Sequence, residues 1–127
     1  VKLLQMDIDY YNAANPTAPW GWRVPTSTDF TTLSNYLGGS TEAGGKLKII
    51  GTTLWATPNT GAKNSSGFTF IPGGYRSSVG TNSLINNKGY FHSINGGEYW
   101  SCEYSSSNFN NSPWDKTTGF SIRLIKA

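Results

Sequence analysis

Apolar positions recur at two different periods along this chain, and the change of period divides it. In "PTSTDFTTLSNYLGG" (25–39), Phe30, Leu33, Tyr36 and Leu37 fall on one face at helical spacing. Thr26 and Asp29 form a capping box, each side chain satisfying a backbone donor of the first turn, and Gly38-Gly39 supply the stop. A shorter helix is expected over "STEAGGKL" (40–47), weakened by Gly44 and Gly45. Ahead of both, residues 2–6 read as a short strand. The following "DIDYYNAANPTAPWGW" reads as a turn-rich connection broken by Pro16, Pro19 and Gly21.

Beyond residue 46 the pattern changes to strands. "KLKIIG" is a candidate, followed by Gly/Asn/Ser-rich punctuation over residues 57–67. "GFTFIPGGYR" alternates Phe68 and Phe70 against Thr69 and Ile71 before breaking at Pro72-Gly73-Gly74. "GYFHSI" and "EYWSCEY" read as a hairpin about Asn95-Gly96-Gly97. In its second strand Trp100, Cys102 and Tyr104 share one face, and Tyr99, Ser101 and Glu103 the other. The closing "GFSIRLIKA" turns Phe120, Ile122 and Leu124 inward. Helices early and strands late, without βαβ alternation, predict a loop-rich α+β domain around a small antiparallel sheet. No internal repeat interrupts that order.

Size and charge narrow the picture. A chain of 127 residues and 13.8 kDa fits one domain over 1–127. Such a domain buries roughly two-thirds of the surface its unfolded chain exposes. The lone Cys102 excludes an internal disulfide. Net charge is +3 with ten scattered basic residues, which argues against the concentrated patch a nucleic-acid binder needs. The many aromatics argue against disorder. No apolar run approaches the roughly 18 residues of a membrane span, so no membrane insertion is expected. Opening at Val1 without Met or signal peptide, the chain is expected to be a module of a longer protein.

Catalytic signatures are thin. His92 is the sole histidine, so no His-rich metal site can form. The hairpin could bring His92 near Cys102, but no third orienting group follows, and a cysteine between Trp100 and Tyr104 suits the interior. Asp7 and Asp9, alternating on a strand end, would share a face as Ca²⁺ oxygens or, the preferred reading, as a solvated edge. "GGYRSSVG" lacks the Lys-Ser/Thr ending of a phosphate loop. The expectation is therefore no catalytic residue, no metal and no cofactor. What remains is the stretch at 99–121, where large rings sit among Ser, Asn and Thr. Tyr and Trp give contact area with few rotatable bonds, and small polar residues give adaptable hydrogen bonding. The same mixture suits sugars. The competing reading makes Trp100 and Trp114 core residues and the Ser/Asn run filler.

"GWRVPTSTDFTTLSNYLGG", "AGGKLK…GTTLWATPNTGAKNSSGFTFIPGGYRSSVG" and "YWSCEYSSSN…GFSIRLIKA" resemble the Fibrobacter succinogenes major paralogous domain, from about residue 11 to the end. "GWRVPT" and "GFSIRL" are also similar to the wider formylglycine-generating-enzyme superfamily. The resemblance implies a C-type-lectin-like fold: two helices on a small twisted antiparallel sheet, with the termini close together. The enzymatic branch uses paired cysteines, and this chain has one, in "WSCE" where the family usually has "WSST". The EPN, QPD and WND motifs of calcium-dependent lectins are missing, with "PWD" at 113–115 a partial echo, so calcium-mediated sugar binding does not carry over.

Related domains occur in exported bacterial surface proteins and in the variable proteins of diversity-generating retroelements, including phage tail-tip receptor binders. Adenine randomisation there scatters Asn codons to Tyr, Ser, Asp and His just before the closing strand. Here that segment carries such residues and is shorter than the family commonly has. The resemblance thus implies an extracellular, non-enzymatic module on a bacterial surface or phage tail. Its ligand would be a cell-surface protein or glycan. The expected contacts are His92, Asn95, Tyr104, Ser106, Asn108, Phe109, Asn110, Asn111, Trp114 and Asp115, on a scaffold of Phe30, Leu33, Trp55, Phe68, Phe70, Trp100, Phe120 and Ile122. The alternative is a structural domain whose same surface packs against neighbouring domains or subunits.

Overall fold

A computed structural model describes residues 2–95, 97–114 and 116–127. The architecture is α+β. Among the described residues three helices, α1 (Lys2–Ala14), α2 (Ser27–Tyr36) and α3 (Ser40–Leu47), precede most of the strands. These are β1 (Trp22–Arg23), β2 (Tyr75–Arg76), β3 (Asn82–Ser83), β4 (Lys88–His92), β5 (Glu98–Glu103), β6 (Asn110–Pro113) and β7 (Ile125–Lys126).

The amino-terminal strand expected over residues 2–6 is instead the first part of α1. Leu4, Ile8 and Tyr11 recur at helical rather than alternate spacing, and Lys, Leu, Gln, Met and Ala are strong helix formers. Ile8 is buried, and Gln5 Oε1 accepts the Val24 amide at 2.8 Å, tying the helix to the residue that follows β1. Helix α2 begins as expected. Thr26 Oγ1 accepts the Asp29 amide while Asp29 accepts the Thr26 amide, and Arg23 grips both Asp29 oxygens at 2.6 and 2.8 Å.

The glycines of α3 have a packing reason. A Cβ on Gly44 would collide with the Asn108 carbonyl, and one on Gly45 with the Gly61 carbonyl. The strand expected at "KLKIIG" is correspondingly absent: α3 runs through Leu47, the Lys48 amide still bonds Gly44, and extended pairing is confined to one Lys48–Phe70 bridge.

Strands β4, β5 and β6 form one antiparallel sheet, with Phe91 opposite Trp100 and Trp100 opposite Asn111. Strands β2 and β3 form a small hairpin, and β1 pairs antiparallel with β7, bringing the two ends of the segment 22–126 together. Between Gly119 and β7 the closing segment makes only single bridges, from Gly119 to Arg76 and from Ser121 to Phe91. The expected inward alternation therefore lapses. Phe120 is half-buried, Leu124 is half-buried, and Ile122 lies exposed outside the scaffold. The core joins α2 and α3 to one face of the sheet through Phe30, Leu47, Trp55, Phe70, Phe91, Trp100, Cys102 and Phe109. Leu33 and Phe68 pack against it from partly buried positions.

Candidate functional site

Residues 104–109, expected to project toward a partner, are built into the fold. The Phe109 ring is fully buried, 4.9 Å from Trp100 and 6.0 Å from Phe30 between centroids, so it is a core residue and no contact residue. Its amide bonds the Ser40 carbonyl, and the Ser107 carbonyl accepts from Gly45. Tyr104 packs against the core, with its carbonyl accepting from Thr60. Ser106 caps the Asn108 amide with its hydroxyl at 3.0 Å and gives its carbonyl to Lys48. Asn108 lies half-buried against Gly44. The run of small polar residues here belongs to a segment that packs through its backbone on the glycine face of α3.

Lys48 explains that rigidity and has no counterpart in the sequence reading. It is fully buried, with Nζ donating to the carbonyls of Thr60, Glu103 and Ser106 at 2.8–2.9 Å and lying 5.3 Å from the Trp55 ring centroid. Burial lowers its pKa, while Cys102 and Glu103 oppose that shift.

Strand β6 is different. It forms the edge of its sheet, with Asn110, Asn111 and Pro113 exposed. Trp114 follows at 46 % exposure, held by Nε1 donating to Thr118 Oγ1 at 2.7 Å and by its amide bonding Gly97. Its ring meets Tyr99 at 5.7 Å, and Tyr99 continues into Tyr90 and Phe120 at 5.0 and 5.2 Å. Tyr75 and His92 complete this aromatic shelf, on the sheet face opposite the core. Burial pushes the Tyr90 hydroxyl up to about 12, with neighbouring Tyr99, Tyr75 and Glu103 adding to the shift.

His92 belongs to the shelf wall: half-buried, 4.9 Å from Phe120, and lowered in pKa chiefly by burial against a backbone bond to Thr118. Asn95 is exposed at the hairpin turn, beyond the shelf. Asp115 lies outside the described residues. The structure therefore groups Asn110, Asn111 and Trp114 on one exposed strand end, and separates from them Tyr104, Ser106, Asn108 and Phe109. Tyr75 and Tyr90 were missed as shelf residues. The alternation of Tyr90 with His92 in "GYFH" is the signal that marks Tyr90.

On the other side of β6, a groove of about 350 Å³ opens toward α2, bordered by Thr31, Ser34, Asn35, Ser40, Asn110 and Asn111 above Trp100 and Phe109. Glu98 anchors this side, accepting from Asn111 Nδ2 at 3.1 Å and Ser93 Oγ at 2.8 Å. Burial raises its pKa, but bonds from Ser27, Asn111 and Ser93 outweigh that and leave it below the ordinary carboxylate value. The α2 wall was also missed, although Thr31 and Asn35 lie one helical turn apart opposite the apolar stripe.

Two chemical readings lose their geometry. His92 stands opposite Tyr99 and Cys102 opposite Gly89, so the two side chains leave opposite faces of the sheet and form no pair. Cys102 is buried and its thiol pKa is raised by burial, with Lys48 opposing. Asp7 and Asp9, two apart on a helix rather than a strand, no longer share a face. Among the described residues no helix is long and apolar enough to cross a membrane.

The model of the family described as Fibrobacter succinogenes major domain matches residues 2–126, and the chain belongs to that family. Comparison with curated proteins finds no match, and comparison with solved structures finds none.

Proposed function

We propose that this Fibrobacter succinogenes major domain is a non-enzymatic recognition module with a C-type-lectin-like fold, displayed outside the cell on a bacterial surface or a phage tail. The observation that carries the reading is the exposed β6 edge with Trp114 beside it, on a scaffold fixed by Lys48 and the Gly44–Asn108 seam. A half-exposed tryptophan oriented by a hydrogen bond and a ring neighbour loses little entropy on binding and offers a large apolar face. Such residues dominate binding energy at interfaces. Asn110, which pairs with Ser101 on the shelf face of β6, supplies an orienting amide.

Trp114→Ala and Phe109→Ala separate the recognition strand from its support. Trp114→Ala is expected to abolish binding of the domain to whole bacterial cells while leaving the melting temperature nearly unchanged. Phe109→Ala removes a buried ring and should cost about 3–5 kcal/mol of stability. Undiminished cell binding by Trp114→Ala would sink the assignment.

A second reading has its own observation. An apolar cleft of about 500 Å³ between α2 and β7 is lined by Leu33, Tyr36, Phe68 and Ile125, and α1 exposes Leu3, Met6 and Tyr10. These surfaces suit packing against a neighbouring domain or subunit. A domain acting only in assembly would bind no cells by itself and would be unaffected by Trp114→Ala.

A further inference from the structure

We infer that the groove between α2 and β6 takes one neutral pyranose unit of a glycan, without a metal ion. The inference rests on the reading of β6 as the recognition strand and names the ligand chemistry of its α2 side. The groove's volume of about 350 Å³ lies within the usual range for small-ligand clefts.

Its walls are hydroxyls and primary amides, and no charged side chain lines it. Among the described residues, the side chains of Asn35 and Ser40 have no hydrogen-bond partner. Asn111 commits its amide N–H groups to Glu98 and Tyr99, which leaves its carbonyl oxygen available. At the floor only a margin of Trp100 reaches the groove, at 6 % exposure, above the buried Phe109 ring. An ionic ligand finds no counter-charge there. A purely apolar one would strip water from the amides and hydroxyls without replacing their bonds, at about 1–3 kcal/mol for each group fully buried. A sugar ring, neutral and with hydroxyls around its rim, matches the polar walls, and one C–H edge is all that the narrow Trp100 margin has to cover.

The geometry is held in advance. Trp100 Nε1 donates to Ser27 Oγ at 3.2 Å, Ser27 bonds Glu98, and Glu98 accepts from Asn111. One polar chain thus connects the floor of the groove to its β6 wall. Asn35 lies exposed on α2, and Asn111 lies exposed on β6 on the face of its cross-strand partner Trp100, so replacing either leaves the core intact.

The test is an NMR titration of the ¹⁵N-labelled domain with methyl glycosides of glucose, galactose, mannose and N-acetylglucosamine, in EDTA throughout. At least one glycoside should shift amides of α2 and β6 at millimolar concentration. Asn35→Ala and Asn111→Ala should each weaken that binding about tenfold, as loss of one hydrogen bond predicts. Trp114→Ala should leave it within about twofold, because that ring lies on the opposite shelf. Absence of shifts in α2 and β6 with all four glycosides overturns the inference. So do shifts that survive both Asn variants. If the glycosides fail while Trp114→Ala still abolishes cell binding, the recognition reading stands and the pyranose assignment alone falls. If the glycosides bind and Trp114→Ala leaves cell binding intact, the reverse holds.

Discussion

Lys48 shows how one residue can decide what a surface loop is for. An ammonium group in the interior costs several kcal/mol unless its donors are satisfied, and here three backbone carbonyls satisfy all of them. Those carbonyls belong to two segments distant in sequence, so the side chain acts as a rivet. Lys48→Met keeps the volume and removes the donor, leaving Thr60, Glu103 and Ser106 carbonyls short of a partner. On the order of 3 kcal/mol or more of stability should be lost, measured by urea denaturation. A variant as stable as the parent would mean that water replaces the ammonium group without cost. Nothing in "KLKIIG" distinguishes Lys48 from Lys46, which pairs with Glu42 at the surface. Burial of a charge depends on where distant carbonyls converge, and no local pattern records that. Phe109 and Trp114 illustrate the same limit: both are rings in a polar stretch, one fully buried and one half-exposed.

At the scale of elements, capping chemistry was legible and strand periodicity was legible only where a ladder exists. Helix α2 follows from Thr26, Asp29 and its apolar face because each of those signals is local. The β4–β5 hairpin follows from alternation because cross-strand pairing enforces period two. Residues 2–6 misled because a run of five holds too few positions to separate the two periods. The closing segment misled because its neighbours offer it only isolated bridges.

The α2 cap carries a pH signature. The guanidinium of Arg23 first, then the amide and hydroxyl of Thr26, outweigh burial and hold the Asp29 carboxyl well below the ordinary range. A depressed folded-state pKa means that the unfolded chain takes up the proton first as pH falls. Its stabilisation is thus complete above the unfolded value, near about 3.9, and is lost below it. Both partners are partly exposed, so solvent screening keeps the contribution modest. Urea melts should show the stability gap between the parent and Asp29→Asn closing as pH drops below about 4. A gap that stays constant to pH 2 would show that the cap's charge contributes nothing.

For the whole molecule, the β4–β5–β6 sheet is shared by two ring clusters. The core cluster locks α2 and α3 to one face, and the shelf from Tyr75 to Trp114 occupies the other. Trp100 and Tyr99, adjacent in sequence, belong to different clusters, so β5 transmits packing between them. Helix α1 stands apart from both. Its single buried residue, Ile8, lies outside the core cluster, and it is tied to the following segment by the Gln5–Val24 and Asn12–Trp20 bonds. Opening α1 exposes little apolar surface and breaks few tertiary bonds, whereas opening β5 separates both clusters. Native-state hydrogen exchange should therefore divide the chain into two stability classes. Amides of α1 should exchange by local opening, with protection well below the global value and little dependence on denaturant. Amides of β4 and β5 should exchange only on global unfolding. Equal protection of Leu4–Tyr11 and β5 amides would show that α1 folds cooperatively with the sheet, and that its exposed Leu3, Met6 and Tyr10 sit on a rigid platform.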